Sequence, residues 1–251
     1  DTREVRAGNG HGGARSMHQG GAALHRAAQM VIAKGRDVAA RLLQAEPANL
    51  VFAEGGYSVP GSGRFVGLID VARAAADPAN FADAGAAGLD SYVWNELDLI
   101  TFPSGVHIAE VEIDPETGQV TLERYRAVDD YGRIINPMLT IGQVQGGVAQ
   151  GIGQAMLERT VYEPETGQLL SGSLLDYALP RADDLPPLDI VLDGVPTASN
   201  PLGVKGSGQA GAIAAPQTII SAVLDALAPL GIDDIDMPAT SEQIWRAIKR
   251  A

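Results

Sequence analysis

Val106-His107-Ile108-Ala109-Glu110-Val111-Glu112-Ile113, then Asp114-Pro115-Glu116-Thr117-Gly118, then Val120-Thr121-Leu122-Glu123-Arg124-Tyr125-Arg126-Ala127-Val128: two runs that alternate apolar with polar residues flank a turn rich in Asp, Pro and Gly. Alternation sends successive side chains to opposite faces of an extended chain, so this stretch predicts an antiparallel hairpin with one buried face. The same turn chemistry recurs at Glu163-Pro164-Glu165-Thr166-Gly167, which suggests a second hairpin between residues 159–162 and 168–170. Further along, residues 188–192 read as a strand, 212–227 as a helix and 241–248 as a closing helix.

Toward the N-terminus, residues 21–43 carry apolar side chains at helical spacing, with Leu24, Ala27, Ala28, Val31, Ile32, Val38 and Leu42 as the expected buried stripe. Short strand-like pieces at 50–53 and 57–59 surround a Gly55-Gly56 turn. Residues 68–75 read as a short helix and 76–88 as a surface connection. Helices and strands in mixed order, with antiparallel hairpins, imply an α+β fold.

Between the hairpins, residues 142–157 have helical spacing despite Gly142, Gly146, Gly147, Gly151 and Gly153. Each glycine inside a helix costs about 1 kcal/mol relative to Ala, so close approach by backbone or ligand is the expected reason for so many. Three glycine-bearing loops run into helices, at 8–16, 136–145 and 203–209. A helix N-terminus offers unpaired N–H groups and about half a positive charge, which suits a phosphate. Each loop alone is weak evidence, because glycine more often serves a tight turn. The dinucleotide pattern G-x-G-x-x-G after a strand does not fit 8–13, and the phosphate-loop pattern ending G-K-[ST] is absent.

Bulk composition narrows the function. With 18 basic and 31 acidic residues the net charge is -13, a field that repels nucleic acid. The chain has no cysteine, so disulfides, thiolate catalysis and sulfur ligation of an iron–sulfur cluster fall to other chains. No uninterrupted apolar run approaches the roughly 20 residues that span a bilayer, so no membrane span is expected. The start at Asp1, with no initiator Met, suggests a fragment or processed chain. His11, His18 and His25 recur every seven residues, a spacing unlike the shorter zinc patterns. Asp129-Asp130 and Asp183-Asp184 are candidate acid–base pairs, although such pairs in turn-like sequence more often cap or face solvent.

Longer motifs are more specific. Asp129-Asp130-Tyr131-Gly132-Arg133-Ile134-Ile135-Asn136-Pro137, followed by Gly142-Gln143-Val144-Gln145-Gly146-Gly147 and residues 148–153, resembles the xanthine dehydrogenase/aldehyde oxidase family. The likeness is to its large, molybdopterin-binding subunit of the carbon-monoxide-dehydrogenase-like type. Gly12-Gly13-Ala14-Arg15-Ser16, residues 176–183, and Asn200-Pro201-Leu202-Gly203-Val204-Lys205-Gly206-Ser207-Gly208 agree and follow in family order.

The resemblance covers about the last third of a full-length large subunit. It implies a two-lobed α/β molybdopterin-binding region, with a first lobe at 1–104 and a second at 105–251 carrying the Gln143 and Gln209 segments. It implies a molybdenum-bearing pterin, in bacteria usually the cytosine dinucleotide. Iron–sulfur clusters and FAD are expected on a small and a medium partner subunit, and the remainder of the large subunit is expected beside this chain. A small-molecule aldehyde or N-heterocycle is the implied substrate, water the implied oxygen source, and the cytoplasm the implied compartment.

Carried over by position, Gly12, Gly13, Ala14, Arg15 and Ser16 resemble the cradle for the cofactor's phosphate region, and Gln143 the side chain that hydrogen-bonds the metal centre or its dithiolene. Asn136, Lys205, Gly206, Ser207 and Gly208 would line the same site. Gln209 departs from the pattern, because the family usually has Glu there as the base that takes a proton from a water-derived hydroxyl. A neutral amide does not perform that step. Either another group is the base, the site serves a different reaction, activity is low, or the residue was engineered to trap the site; the readings of the chain are then a hydroxylase with a hydrogen-bonding amide, or a catalytically silent cofactor-binding or assembly module. A third is that these 251 residues alone bind nothing.

Overall fold

The computed structural model describes residues 3, 8, 10, 12–77, 88–95 and 101–251. Along the chain, a 3-10 turn (Gly12–Ala14) and a π-helical segment (Ser16–Gly21) precede helix α1 (Ala22–Leu43), strands β1 (Val51–Ala53), β2 (Gly56–Ser58) and β3 (Phe65–Gly67), and helix α2 (Leu68–Ala76). The long strands β4 (Ser104–Ile113) and β5 (Val120–Asp130) follow, then α3 (Pro137–Met156), β6 (Leu188–Leu192), α4 (Ala210–Leu227) and α5 (Ser241–Ile248). Helices and two small three-stranded sheets make an α+β fold.

Two compact units emerge, and they do not follow the 1–104 and 105–251 division. One comprises the segments Gln19–Asp98 and Asn200–Leu202; the other joins the chain up to His18 with Leu99–Ser199 and Gly203–Ala251. The glycine-rich 12–16 segment thus belongs with the later part of the chain.

In the smaller unit, β1, β2 and β3 form an antiparallel meander. Tyr57 from β2 is fully buried and its hydroxyl donates to the Ile32 carbonyl at 2.5 Å. Gly35 is required there: a Cβ would lie 2.5 Å from the Tyr57 oxygen. The helix stripe differs from the sequence expectation. Val31, Ile32 and Val38 face the core, with Ala39, Ala40 and Leu43 buried beside Val38, whereas Leu24 is 72% exposed and Leu42 48% exposed. The expected stripe drifts because an Ala-rich helix gives little contrast between its faces. Gln44 closes α1 in a left-handed conformation, with Ala45 N–H donating to the Ala40 carbonyl, one of the hydrogen bonds that cap a helix C-terminus. The surface connection expected at 76–88 lies mostly outside the described residues.

In the larger unit, β4 and β5 form the expected hairpin, with a register shift at Glu110/Val111, and β6 adds in parallel to β5. Asp114 shapes the turn by accepting from Glu116 N–H and the Thr117 hydroxyl, while Gly118 supplies a positive φ. One face of this mixed sheet is covered by helices. Tyr125, Ala127 and Tyr131 meet Val144, Val148 and Ile152 of α3, Ile219 and Val223 of α4, and Ile244 of α5. Burying side chains of this size contributes about 1.5–3 kcal/mol each, so this cluster is the main stabiliser of the unit. The second hairpin reduces to one bridge, Tyr162 to Leu169.

Among the described residues, one helical segment meets the length and mean apolarity of a membrane span, although polar residues interrupt it. Ala210–Leu230 is long and apolar enough by composition, with mean hydropathy 1.5. Its apolarity has a local use, since Ala215, Ile219, Val223 and Leu227 are buried in the core of this unit.

Candidate cofactor site

Asn136 starts α3. Its side-chain oxygen accepts from Leu139 N–H at 3.2 Å, and Pro137 fits the first helical position because that position needs no N–H. Gln143 then falls in the second turn, and Gln209 is the N-cap residue of α4. What brings these two residues together is the contact between α3 and α4. A Cβ on Gly211 would lie 2.5 Å from the Val144 carbonyl oxygen, one on Gly147 2.9 Å from Ala212 N, and one on Gly151 2.6 Å from the Ala215 methyl. Close approach of α4 therefore explains Gly147, which faces its backbone, and Gly151, which faces the Ala215 and Pro216 side chains. Gly142 and Gly146 meet nothing within 4 Å and face open space.

That space is a cavity of about 270 Å³ lined by Gly142, Gln143, Gly146, Gly147, Gln150, Gly208, Gln209, Ala212 and Ile213. Gln143 Nε2 donates to the Gly208 carbonyl at 2.5 Å, fixing the amide against the loop before α4. Two residues earlier, Gly206 packs on Ala14, whose methyl a Cβ on Gly206 would overlap. The segments at 14, 143 and 206–209 therefore share one locality. Gly13 and Ala14 both have positive φ, at 68° and 54°. Successive left-handed residues turn neighbouring N–H groups toward one side, and Ala14 bears strain that glycine would not. Arg15 Nε donates to the Gly12 carbonyl at 2.5 Å, closing the turn. His18, buried beneath it, is held below its ordinary pKa by burial and then by Arg15.

Not every expected residue lines the cavity. Asn136 is occupied as a helix cap, and the Lys205 ammonium lies 2.5 Å from Asp130 Oδ2. The lining residues not among the expected site residues are Gly142, Gly146, Gly147, Gln150, Ala212 and Ile213. Their signal was present as helical spacing, since 143, 146, 147 and 150 share a face of α3, as do 209, 212 and 213 at the start of α4.

The acidic pairs resolve differently. Asp129 and His107 are buried, with side chains 3% and 4% exposed and His107 Nε2 3.0 Å from Asp129 Oδ1. The Tyr131 hydroxyl donates to Asp129 Oδ2 at 2.8 Å, and His107 Nδ1 meets the Tyr125 hydroxyl at 2.7 Å. Asp129 is thus neither cap nor solvated group but the centre of a buried polar network. Asp184 does cap, accepting from Arg181 N–H. Of the three regularly spaced histidines, His11 lies outside the described residues, and among the described residues no group of three potential metal ligands occurs.

The profile of the molybdopterin cofactor-binding domain family matches residues 1–186. The chain belongs to this family. It is 37% identical over 98% of its length to the 6-hydroxypseudooxynicotine dehydrogenase complex subunit gamma of Paenarthrobacter nicotinovorans, covering 31% of that protein. Against the nicotine 6-hydroxylase large subunit of the same organism it is 37% identical over 96% of this chain and 30% of the relative. A crystal structure of a Cu,Mo-CO dehydrogenase superposes on 99% of the chain and 31% of its own, with a TM-score of 0.88 and 29% identity. The chain therefore spans about a third of the relatives it matches.

The cavity fits part of such a cofactor in kind. Among its lining residues there is no ionised side chain; the side-chain amides at 143, 150 and 209 offer donors and acceptors, and the glycines at 142, 146 and 208 leave open space beside them.

Proposed function

We propose that this chain is the C-terminal cofactor-binding portion of a molybdenum hydroxylase large subunit that oxidises an N-heterocycle or aldehyde with water-derived oxygen. When bound, the molybdopterin group supplies oxygen transfer and accepts two electrons. The chain's own residues hold and orient it. Gly12 to Ser16 and Gly206 to Gly208 hold the phosphate region, in the cytosine dinucleotide form, and Gln143 hydrogen-bonds the metal end. The observation that supports this reading is the meeting of Gln143, Gly208 and Gln209 at one cavity, with Gly206 against Ala14.

Gln209 orients substrate or the attacking oxygen by hydrogen bonds and takes up no proton, since an amide has no useful basicity at neutral pH. The nicotine-related names of two relatives favour a ring nitrogen heterocycle over an aldehyde. Iron–sulfur and FAD subunits carry the electrons away, and the complex works in the cytoplasm. Metal analysis of the intact complex, expressed with ample molybdate, tests the reading. About one molybdenum per large subunit is expected; none refutes it. Dye reduction driven by a heterocycle or aldehyde then separates a hydroxylase from a silent binding module.

A further inference from the structure

We propose that Lys205 is a positioning residue, whose ammonium locks the 203–208 loop onto the end of β5 through Asp130 and so sets the cofactor cradle, and that it presents no charge to a bound phosphate. The inference rests on the cofactor reading above but concerns how the chain builds the cradle.

Lys205 Nζ is 2.5 Å from Asp130 Oδ2, and the two side chains are only 16% and 18% exposed. The other carboxylate oxygen, Oδ1, accepts from Gly132 N–H at 2.8 Å and Val195 N–H at 3.0 Å. One carboxylate therefore ties together the end of β5, the segment after β6 and the 203–208 loop. Burial acts to raise the Asp130 pKa, but Lys205 and the two N–H donors outweigh it and hold the group below the ordinary carboxylate value. The Lys205 ammonium is thus spent on a carboxylate, whose opposite charge offsets its pull on a nearby anion.

Backbone contacts run parallel to this tie. Lys205 N–H donates to the Tyr131 carbonyl at 2.9 Å, Arg133 N–H to the Gly203 carbonyl at 2.8 Å, and Gly132 bridges Val204. Gly132 has no room for a side chain there, because a Cβ would meet the Gly203 carbonyl and, at 3.2 Å, the Lys205 backbone nitrogen. The next residue, Gly206, is the one that packs on Ala14, and Gly208 is the one that receives Gln143. A loop shifted by loss of the ion pair would move both contacts at once. Asp129 plays no part in this tie, being held by His107 and Tyr131.

The test compares Lys205→Met, Asp130→Asn and the double variant in the full-length complex, with molybdenum and released cytidine nucleotide measured per large subunit. A lock predicts a several-fold loss in each single variant, no further loss in the double, and recovery in Lys205→Arg. A phosphate-binding lysine instead gives loss in Lys205→Met but full content in Asp130→Asn, which would overturn the proposal. If the neutral variants do not assemble, hydrogen exchange of the 204–208 amides in the charge-retaining Lys205→Arg and Asp130→Glu proteins decides. Faster exchange confined to that loop in Asp130→Glu, with Lys205→Arg near wild type, supports the lock; unchanged exchange in both sinks it. Wild-type protein without molybdenum would refute the cofactor reading alone, since loop exchange still reads the lock.

Discussion

Gln143 on α3 and Gly208 before α4 are joined directly, the side-chain Nε2 donating to the backbone carbonyl. Because Gln209 follows at once, the amide at 143 controls where residue 209 begins its helix. Replacing Gln143 with Glu removes the donor and sets a carboxylate against a carbonyl. The expected result is a several-fold fall in cofactor content with a stability loss of about 1 kcal/mol, the usual net worth of one hydrogen bond. Metal analysis and chemical denaturation check it.

The glycines of α3 predict opposite signs within one helix. Gly147→Ala sets a methyl against the α4 backbone and Gly151→Ala one against the Ala215 and Pro216 side chains, and each should destabilise by about 1–3 kcal/mol. Gly142→Ala meets nothing within 4 Å and should stabilise by up to about 1 kcal/mol through helix propensity. Thermal melts of the three variants distinguish them.

Tyrosine ionisation sets the alkaline limit. Burial pushes the Tyr125 phenol up to about 12, and burial with the Asp129 hydrogen bond pushes Tyr131 up as well. A raised phenol pKa gives stability that is complete below the ordinary value of 10.0 and lost as pH rises from there toward 12. Tyr125→Phe should flatten that decline in denaturation curves measured across the alkaline range. In wild type, tyrosinate absorbance from these two residues should appear last.

The acid side depends on Asp130, whose carboxyl is held below its ordinary 3.8. A depressed carboxyl contributes stability that is present above that value and disappears as pH falls through the lowered one. Asp130→Asn should therefore lose stability near neutrality and show a shallower acid transition. Circular dichroism against pH reads both.

Gln209→Glu places a titratable carboxylate at the cavity. In the full complex, turnover should acquire a new acid limb governed by that group, while cofactor content stays unchanged. A profile identical to wild type would place residue 209 away from the chemistry.

The strongly periodic elements were legible in the sequence. The β4–β5 hairpin follows from clean alternation, and most of α3 from helical spacing even with its glycines, although its start at Pro137, capped by Asn136, lies five residues before the expected 142. The face of α1 was not, because alanine is equally at home on either side of a helix. Nor was the grouping of Ala14 with Gly206, which links residues nearly two hundred positions apart through a contact that leaves no local trace. The motif resemblance, and not periodicity, singled out Gln143, Gly208 and Gln209, which line the cavity. Even so, it did not tell a cavity wall such as Gln150 from a cap such as Asn136, since that depends on which way each helix is turned.

The glycine and alanine seam between α3 and α4 has a consequence for how such a site diversifies. With backbone facing 147 and 211, and the Ala215 and Pro216 side chains facing 151, any larger residue along the seam separates the helices. The spacing of residues 143 and 209 is thus a fixed gauge. Changes in the cavity's shape fall instead to lining side chains such as Gln150 and Ile213, which leave the gauge untouched.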